Sequence, residues 1–138
     1  MKSHILLSFI MLFIFSSCQK SFEERIMEET KYYTENYCPK PTEPGSHLDS
    51  LTYSPTTRTI THWFTLSGEK EDTAFLNNFE KKSEMFRTNT LRTLINDTNW
   101  EGCKKEGVNF CYVYRLSLTG EEFIRFLFTP DEYNHHNK

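Results

Sequence analysis

The sequence predicts a single α+β domain with two layers, in which two helices pack on one face of an antiparallel four-stranded sheet. Apolar residues recur at helical spacing after Ser21 and again over residues 73 to 97. Apolar residues recur at every second position from Val108 to Leu118, which is typical of a strand with one buried face. Turn residues separate paired apolar runs elsewhere, and the predicted order of elements is α-β-β-α-β-β.

The first helix begins at a capping-box pattern, with Ser21 as the N-cap and Glu24 three positions later. Apolar residues among charges continue to Tyr37, as in a helix with one buried side. The helix should end near Cys38, because CPKPTEPG places three prolines and a glycine within eight residues.

Two strands are predicted next, over residues 47 to 53 and 58 to 66, with SPTT between them as a hairpin turn. SGEKED interrupts the strand pattern, and Asp72 is expected to cap a second helix from residue 73 to about 97. The polar stretch NDTNWEG ends that helix.

The last hairpin carries the clearest pattern. One face of its first strand should point to the core: Val108, Phe110, Tyr112, Tyr114, Leu116 and Leu118. Thr119 and Gly120 turn the chain, since glycine accepts the positive φ that such turns need. The segment EEFIRFLFT returns with Phe126 on the core face, and Pro130 ends the strand.

The N-terminus has the features of a signal peptide over residues 1 to 17. Lys2 precedes an apolar run, Ile5 to Phe15, that is too short to span a bilayer. The run ends in FSSC, which resembles the lipobox of bacterial lipoproteins. That resemblance implies that Cys18 carries lipid such as palmitate, that residues 18 to 21 form a tether, and that the protein contacts the membrane through this lipid. An ordinary secretory signal is the alternative.

The same resemblance implies a location in the bacterial cell envelope. Gln19, rather than an acidic residue, follows the cysteine, and in the best-known sorting pattern this directs a lipoprotein to the outer membrane. Whether the domain faces the periplasm or the medium stays open. The pattern LDSLTY, TITHWFTL, GVNFCYVYRL, TGEEF and FTPDEY is also similar to a group of small bacterial lipoproteins of unknown function, over about residues 38 to 133. This second resemblance implies no activity.

Beyond the signal segment the chain is long enough for one domain, predicted over residues 22 to 133, with a polar tail at 134 to 138. Removal of Lys2 with the signal segment changes the formal net charge from −3 to −4. Because the sequence has no cluster of Lys and Arg, it gives no support for nucleic-acid binding.

Three cysteines remain when Cys18 is assigned to lipid. An envelope location permits a disulfide, and a bond between Cys38 and Cys103 is slightly favoured, with Cys111 as a buried free thiol. The absence of any disulfide is an equally weighted alternative.

No catalytic motif, metal site or cofactor site is predicted. His62 is expected to be a half-buried histidine hydrogen-bonded within the sheet, and strand parity places it on the opposite face from Cys111. His135 and His136 are adjacent and have no second ligand pair at a set spacing.

The chain is therefore expected to be a non-catalytic envelope lipoprotein that binds a protein partner or joins an assembly. The alternatives are a periplasmic inhibitor or immunity-type protein and a small thiol- or histidine-dependent hydrolase.

The sheet face opposite the helices is the predicted partner-binding surface, because two helices on one side leave the other side uncovered. Its expected members are Trp63, Val113, Arg115, Phe123, Arg125 and Leu127. Trp and Arg are the residue types enriched at binding hot spots. A covering by the tail or the proline-rich loop, or dimerisation through this face, is the alternative.

Overall fold

The structure is a computed structural model that describes residues 19–135. This part of the chain forms five α-helices and one five-stranded mixed sheet. The helices are α1 (Phe22–Tyr37), α2 (Thr73–Lys81), α3 (Ser83–Asn96), α4 (Glu101–Lys105) and α5 (Pro130–Asn134). The strands are β1 (Lys40–Glu43), β2 (Ser46–Ser54), β3 (Thr59–Leu66), β4 (Asn109–Leu116) and β5 (Glu122–Phe128). The predicted α+β class is confirmed.

The sheet has the strand order β1-β2-β3-β4-β5, and the prediction of four antiparallel strands is wrong in two respects. β1 was not predicted, and β3 pairs with β4 in parallel, with Ile60 opposite Phe110. The parallel pair arises because α2, α3 and α4 lie between the two strands and return the chain to the end of the sheet where β3 began. The other three pairs are antiparallel.

The first helix follows its sequence signal closely. The backbone N–H of Glu24 donates to Ser21 Oγ at 3.2 Å, and the Ser21 N–H donates to Glu24 Oε2 at 3.0 Å, so the predicted capping box is confirmed. Further along, Thr34 Oγ1 both donates to the Leu51 carbonyl and accepts from the Leu51 N–H, each at 2.9 Å. These bonds fix α1 against β2 where β1 does not reach.

The second predicted helix is divided at Lys82 into α2 and α3. In a continuous helix, Phe79 and Phe86 would be separated by about 10 Å along the axis. Their ring centroids are instead 4.4 Å apart, so the break brings both rings into one contact against the sheet.

All five helices contribute to one core on one face of the sheet, so the helices form a single layer. The fully buried members include Ile60 of β3, Phe110 of β4 and Phe128 of β5. Leu118, which was predicted to face this core, lies beyond the end of β4 and is 84% exposed.

The C-terminal end of the domain also joins the core. Thr129 and Glu132 form a capping box at the start of α5, whose first residue is Pro130. The Tyr133 hydroxyl donates to the Val108 carbonyl at 2.9 Å, and its side chain is buried. Within residues 19–135, no helix combines the length and apolar character needed to cross a bilayer.

Candidate functional site

The face of the sheet opposite the helices carries one row of side chains across three strands. Trp63 of β3 pairs with Val113 of β4, and Val113 pairs with Arg125 of β5. Arg115 and Leu127 lie beside this row on the same face, because residues two apart in a strand share a face. Helices of the described chain pack on the other face, so the longer side chains of this face meet solvent, among them Arg115, Arg125 and Leu127.

Trp63 is held in place from two sides. Its indole Nε1–H donates to Thr52 Oγ1 on β2 at 2.8 Å. The guanidinium of Arg115 lies over its ring, 4.0 Å from the centroid, which is a cation–π contact. Arg115 makes no ion pair with a carboxylate of residues 19–135.

Arg125 is held by a two-point bond to Glu122. Its Nε–H and Nη2–H donate to the two carboxylate oxygens of Glu122 at 2.9 and 2.7 Å. The hydrogen bond from Arg125 lowers the pKa of the Glu122 carboxyl. Because this pair is exposed, it orders the surface more than it stabilises the fold.

Two residues predicted on this face do not contribute to its surface. Val113 lies on the face but has no exposed area, because longer side chains flank it on both neighbouring strands. Phe123 turns to the helix side, where its ring centroid is 5.7 Å from that of Phe79. This reversal follows from an irregular register next to Tyr114, which breaks the strict alternation of β5. We call the accessible set, Trp63, Arg115, Arg125 and Leu127, the open-face patch.

A polar cluster on the same face was not predicted. His47 Nε2 lies 2.9 Å from Asp49 Oδ1, and the Thr65 hydroxyl donates to Asp49 Oδ2. The register of β2 shifts between Leu48 and Ser50, so Asp49 has no paired residue on β3. The sequence contains no clear sign of that bulge.

The three cysteines of the described residues are free thiols, so the favoured bond between Cys38 and Cys103 is not formed. Cys103 is buried in the helix-side core, and burial raises the pKa of its thiol to about 11. Cys111 is a buried free thiol on the opposite face, where burial raises its pKa despite the nearby charge of Arg125. Residues 1 to 17, Cys18 and His136 lie outside the described residues.

A second candidate site is a cleft of about 600 Å³ between α1, β2 and the loop that follows α3; we call it the His62 cleft. His62 is 7% exposed, and its ring stacks on that of Tyr112 with centroids 4.5 Å apart. The cleft is lined by Ile26, Glu29, Thr30, Tyr33, Lys40, Leu48, Leu51, His62, Asp97, Asn99 and Trp100.

The buried Nδ1 of His62 has no hydrogen-bond partner among the described residues. Burial lowers the pKa of its imidazole to about 4, although the Cys111 backbone and the Asp97 carboxylate oppose the shift. His62 is therefore neutral at pH 7. It also lies on the opposite sheet face from Cys111, since Cys111 pairs with Thr61.

No group of three or more His, Cys, Asp and Glu side chains within residues 19–135 is arranged to hold a metal ion.

Two solved structures share this fold. A protein of Pseudomonas aeruginosa that is inferred to be secreted has a TM-score of 0.64 at 8% sequence identity, over 83% of this chain and 99% of that chain. The pilotin EpsS of the Vibrio vulnificus type 2 secretion system has a TM-score of 0.60 at 11% identity, over 80% of this chain and 90% of that chain. At these identities the likeness establishes the fold alone.

Among curated proteins, no sequence matches this chain significantly. The profile of one domain family does match it, over residues 21–124, which is most of the chain. The chain therefore belongs to DUF8479, a family of domains of unknown function.

Proposed function

We propose that this chain is a non-catalytic module of the bacterial cell envelope that is anchored by lipid on Cys18 and binds a protein partner through the open-face patch. The observation that carries the proposal is the Trp63–Arg115 stack on a sheet face that the helix layer leaves uncovered. A soluble sheet face without a partner is ordinarily polar, whereas this one presents a tryptophan, two arginines and a leucine that is 47% exposed.

The open-face patch is suited to binding an acidic partner. Arg115 is oriented by Trp63 but has no carboxylate ligand within residues 19–135, so its guanidinium can donate two hydrogen bonds to a carboxylate of a partner. Leu127 offers an apolar contact on the neighbouring strand. The expected partner surface therefore places an Asp or Glu beside an apolar side chain.

Two features support the proposed lipid anchor: the sequence FSSC and the short distance along the chain from Cys18 to the folded domain. α1 begins at Phe22, so a short segment separates Cys18 from the folded domain. An anchor this close would keep the open-face patch near the membrane surface. The fold is shared with a pilotin of a secretion system, which is consistent with an envelope module, and Gln19 favours the outer membrane.

The absence of catalysis is supported by how the two reactive groups are separated. A thiol nucleophile needs a base within hydrogen-bond reach and a lowered pKa. Cys111 and His62 lie on opposite faces of the sheet, and burial raises the Cys111 pKa. This geometry disfavours the alternative of a thiol hydrolase.

Site-specific photocrosslinking in cells tests the partner surface. A photoreactive amino acid at Leu127 should give one discrete product, and the same amino acid at Met85, exposed on α3, should not. Arg115→Glu should abolish the Leu127 product and Arg115→Lys should reduce it, whereas the control Arg92→Glu on α3 should leave it unchanged. Equal yields of crosslinked product from Leu127 and Met85 would count against this surface. So would a Leu127 product whose yield Arg115→Glu leaves unchanged.

The anchor is tested separately by metabolic labelling with an alkyne analogue of palmitate. The wild-type chain should incorporate label and partition into the detergent phase, and Cys18→Ser should do neither. A mature wild-type chain that begins at another residue and stays in the aqueous phase would overturn the anchor without affecting the partner surface.

A further inference from the structure

The His62 cleft combines an apolar floor with a charged entrance. Ile26 of α1 and Leu48 and Leu51 of β2 are each less than 8% exposed and form its apolar side. Its volume of about 600 Å³ lies in the range of small-ligand sites. The cleft faces away from the open-face patch, because His62 and Trp63 are adjacent in β3 and point to opposite faces.

One buried polar atom in the cleft is left without a partner. His62 Nδ1 is inaccessible to solvent and makes no hydrogen bond within the described residues, which is unusual for a buried polar group. A neutral imidazole has one nitrogen that accepts and one that donates. The residue at the floor of the cleft therefore keeps one polar atom that the described residues do not satisfy.

The charges of the lining indicate which ligand this is. Glu29 and Asp97 make no ion pair with a cation of residues 19–135, and Asp97 Oδ1 accepts only the local bonds from the Asn99 N–H and Nδ2–H, both at 2.9 Å. Lys40 is the one cation of the lining, and its Nζ lies 3.4 Å from the Tyr33 hydroxyl. Two carboxylates against one ammonium group leave the entrance negative.

We propose that the His62 cleft binds a guanidinium or alkylammonium group carried on a short apolar stem. Glu29 and Asp97 bind the cation, Trp100 offers an aromatic surface for it, and the apolar side receives the stem. The group can belong to a free amine or guanidine, or to an Arg or Lys side chain of a polypeptide.

The two tryptophans of the chain give a direct test. The full chain in phosphatidylcholine nanodiscs, with ¹⁵N-labelled indoles, is titrated with n-butylguanidinium and with its neutral isostere n-butylurea. The Trp100 indole signal should shift with butylguanidinium, and the Trp63 signal should not, since it lies on the other face of the sheet. Butylurea should bind about tenfold more weakly or not at all, because it lacks the charge.

Variants assign the binding to the cleft. Glu29→Gln and Asp97→Asn should each weaken butylguanidinium binding by about three- to tenfold, and Asn can still cap the turn that Asp97 caps. Lys40→Gln should strengthen binding, because it removes the competing positive charge. Glu28→Gln is the matched control, on α1 beside Glu29 but outside the lining, and should change nothing.

A blocked pentapeptide with a central Arg tests whether the guanidinium belongs to a polypeptide or to a free small molecule. Its affinity is compared with that of butylguanidinium, and the same peptide with citrulline in place of Arg is the uncharged control. Tighter binding than butylguanidinium indicates a polypeptide ligand, and weaker binding indicates a free small molecule. Equal shifts with butylurea and butylguanidinium, parallel shifts of both indole signals, or unchanged affinity in Glu29→Gln and Asp97→Asn would each overturn the proposal.

Discussion

The guanidinium of Arg115 lies 4.0 Å from the ring centroid of Trp63, across the parallel pair that joins the two halves of the sheet. The contact connects β3 to β4 on the face that the helices do not cover. Trp63 is also tied to β2 through Thr52, so three strands share one ordered surface feature.

We expect Arg115→Ala to lower the free energy of unfolding by about 0.5–1 kcal/mol, the range for an exposed cation–π contact. Denaturant titration followed by tryptophan fluorescence would measure it, with Arg92→Ala as the exposed control on α3. A loss above about 3 kcal/mol would mean that Arg115 is part of the core rather than of a binding surface.

Neighbouring residues of β5 should respond very differently to truncation. Phe126 is 5% exposed and packs among aromatic rings of the helix side, so Phe126→Ala should cost about 3–5 kcal/mol. Leu127 is 47% exposed on the other face, and Leu127→Ala should cost less than about 1 kcal/mol. Equal losses in urea titrations of the two variants would contradict the observed strand parity.

Acid should destabilise the fold through His62. Its native pKa of about 4 lies below the unfolded value of 6.5, so between these values the unfolded state binds more protons. The free energy of unfolding therefore falls as the pH is lowered through this window, by as much as about 3 kcal/mol. Urea titrations from pH 7.5 to pH 4 should show a smaller loss for His62→Gln than for the wild type, since carboxylates contribute equally to both. Parallel curves would mean that His62 is not buried in its neutral form.

Lys104 should stabilise the end of α3. Its Nζ donates to the carbonyls of Leu94, Ile95 and Asp97 at 3.0, 2.9 and 3.0 Å. Lys104→Met keeps the apolar stem but leaves these oxygens without the charged donor, so we expect a loss of about 1–3 kcal/mol. The neighbouring Lys105→Met is the control.

Lys105 makes an exposed pair with Glu101, so its replacement should leave the free energy of unfolding almost unchanged. Thermal unfolding of both variants measures the difference. Similar losses would show that the contact of Lys104 with the helix end adds nothing to stability.

Local signals were sufficient for the parts of the fold that depend on neighbours in the sequence. The Ser21 capping box and the alternation through Tyr112 and Tyr114 placed α1 and β4 correctly, because both depend on spacing alone. β1 was missed because Pro41 argues against a strand, although an edge strand tolerates proline.

Features that depend on contacts between distant parts of the chain could not be predicted from the sequence. Parallel pairing of β3 and β4 depends on how three helices return the chain, and nothing in either strand specifies direction. Of the predicted face, Val113 lies on the open side but is buried, and Phe123 lies on the helix side because a single register shift reverses it. The remaining members lie on the open side: Trp63, Arg115, Arg125 and Leu127. The lining of the His62 cleft comes from α1, β1, β2, β3 and the loop after α3, so it could not be assembled from sequence spacing.

The parallel pair also sets the order in which the chain can fold. During synthesis, the N-terminal half can form α1 and the β2–β3 hairpin from local contacts, and β3 is then an unpaired edge until β4 has been made. An exposed edge strand is a template for pairing with other chains. Three of the four outward positions of β3 are threonines, Thr59, Thr61 and Thr65, so most of the strand's outer side is polar while the edge is unpaired.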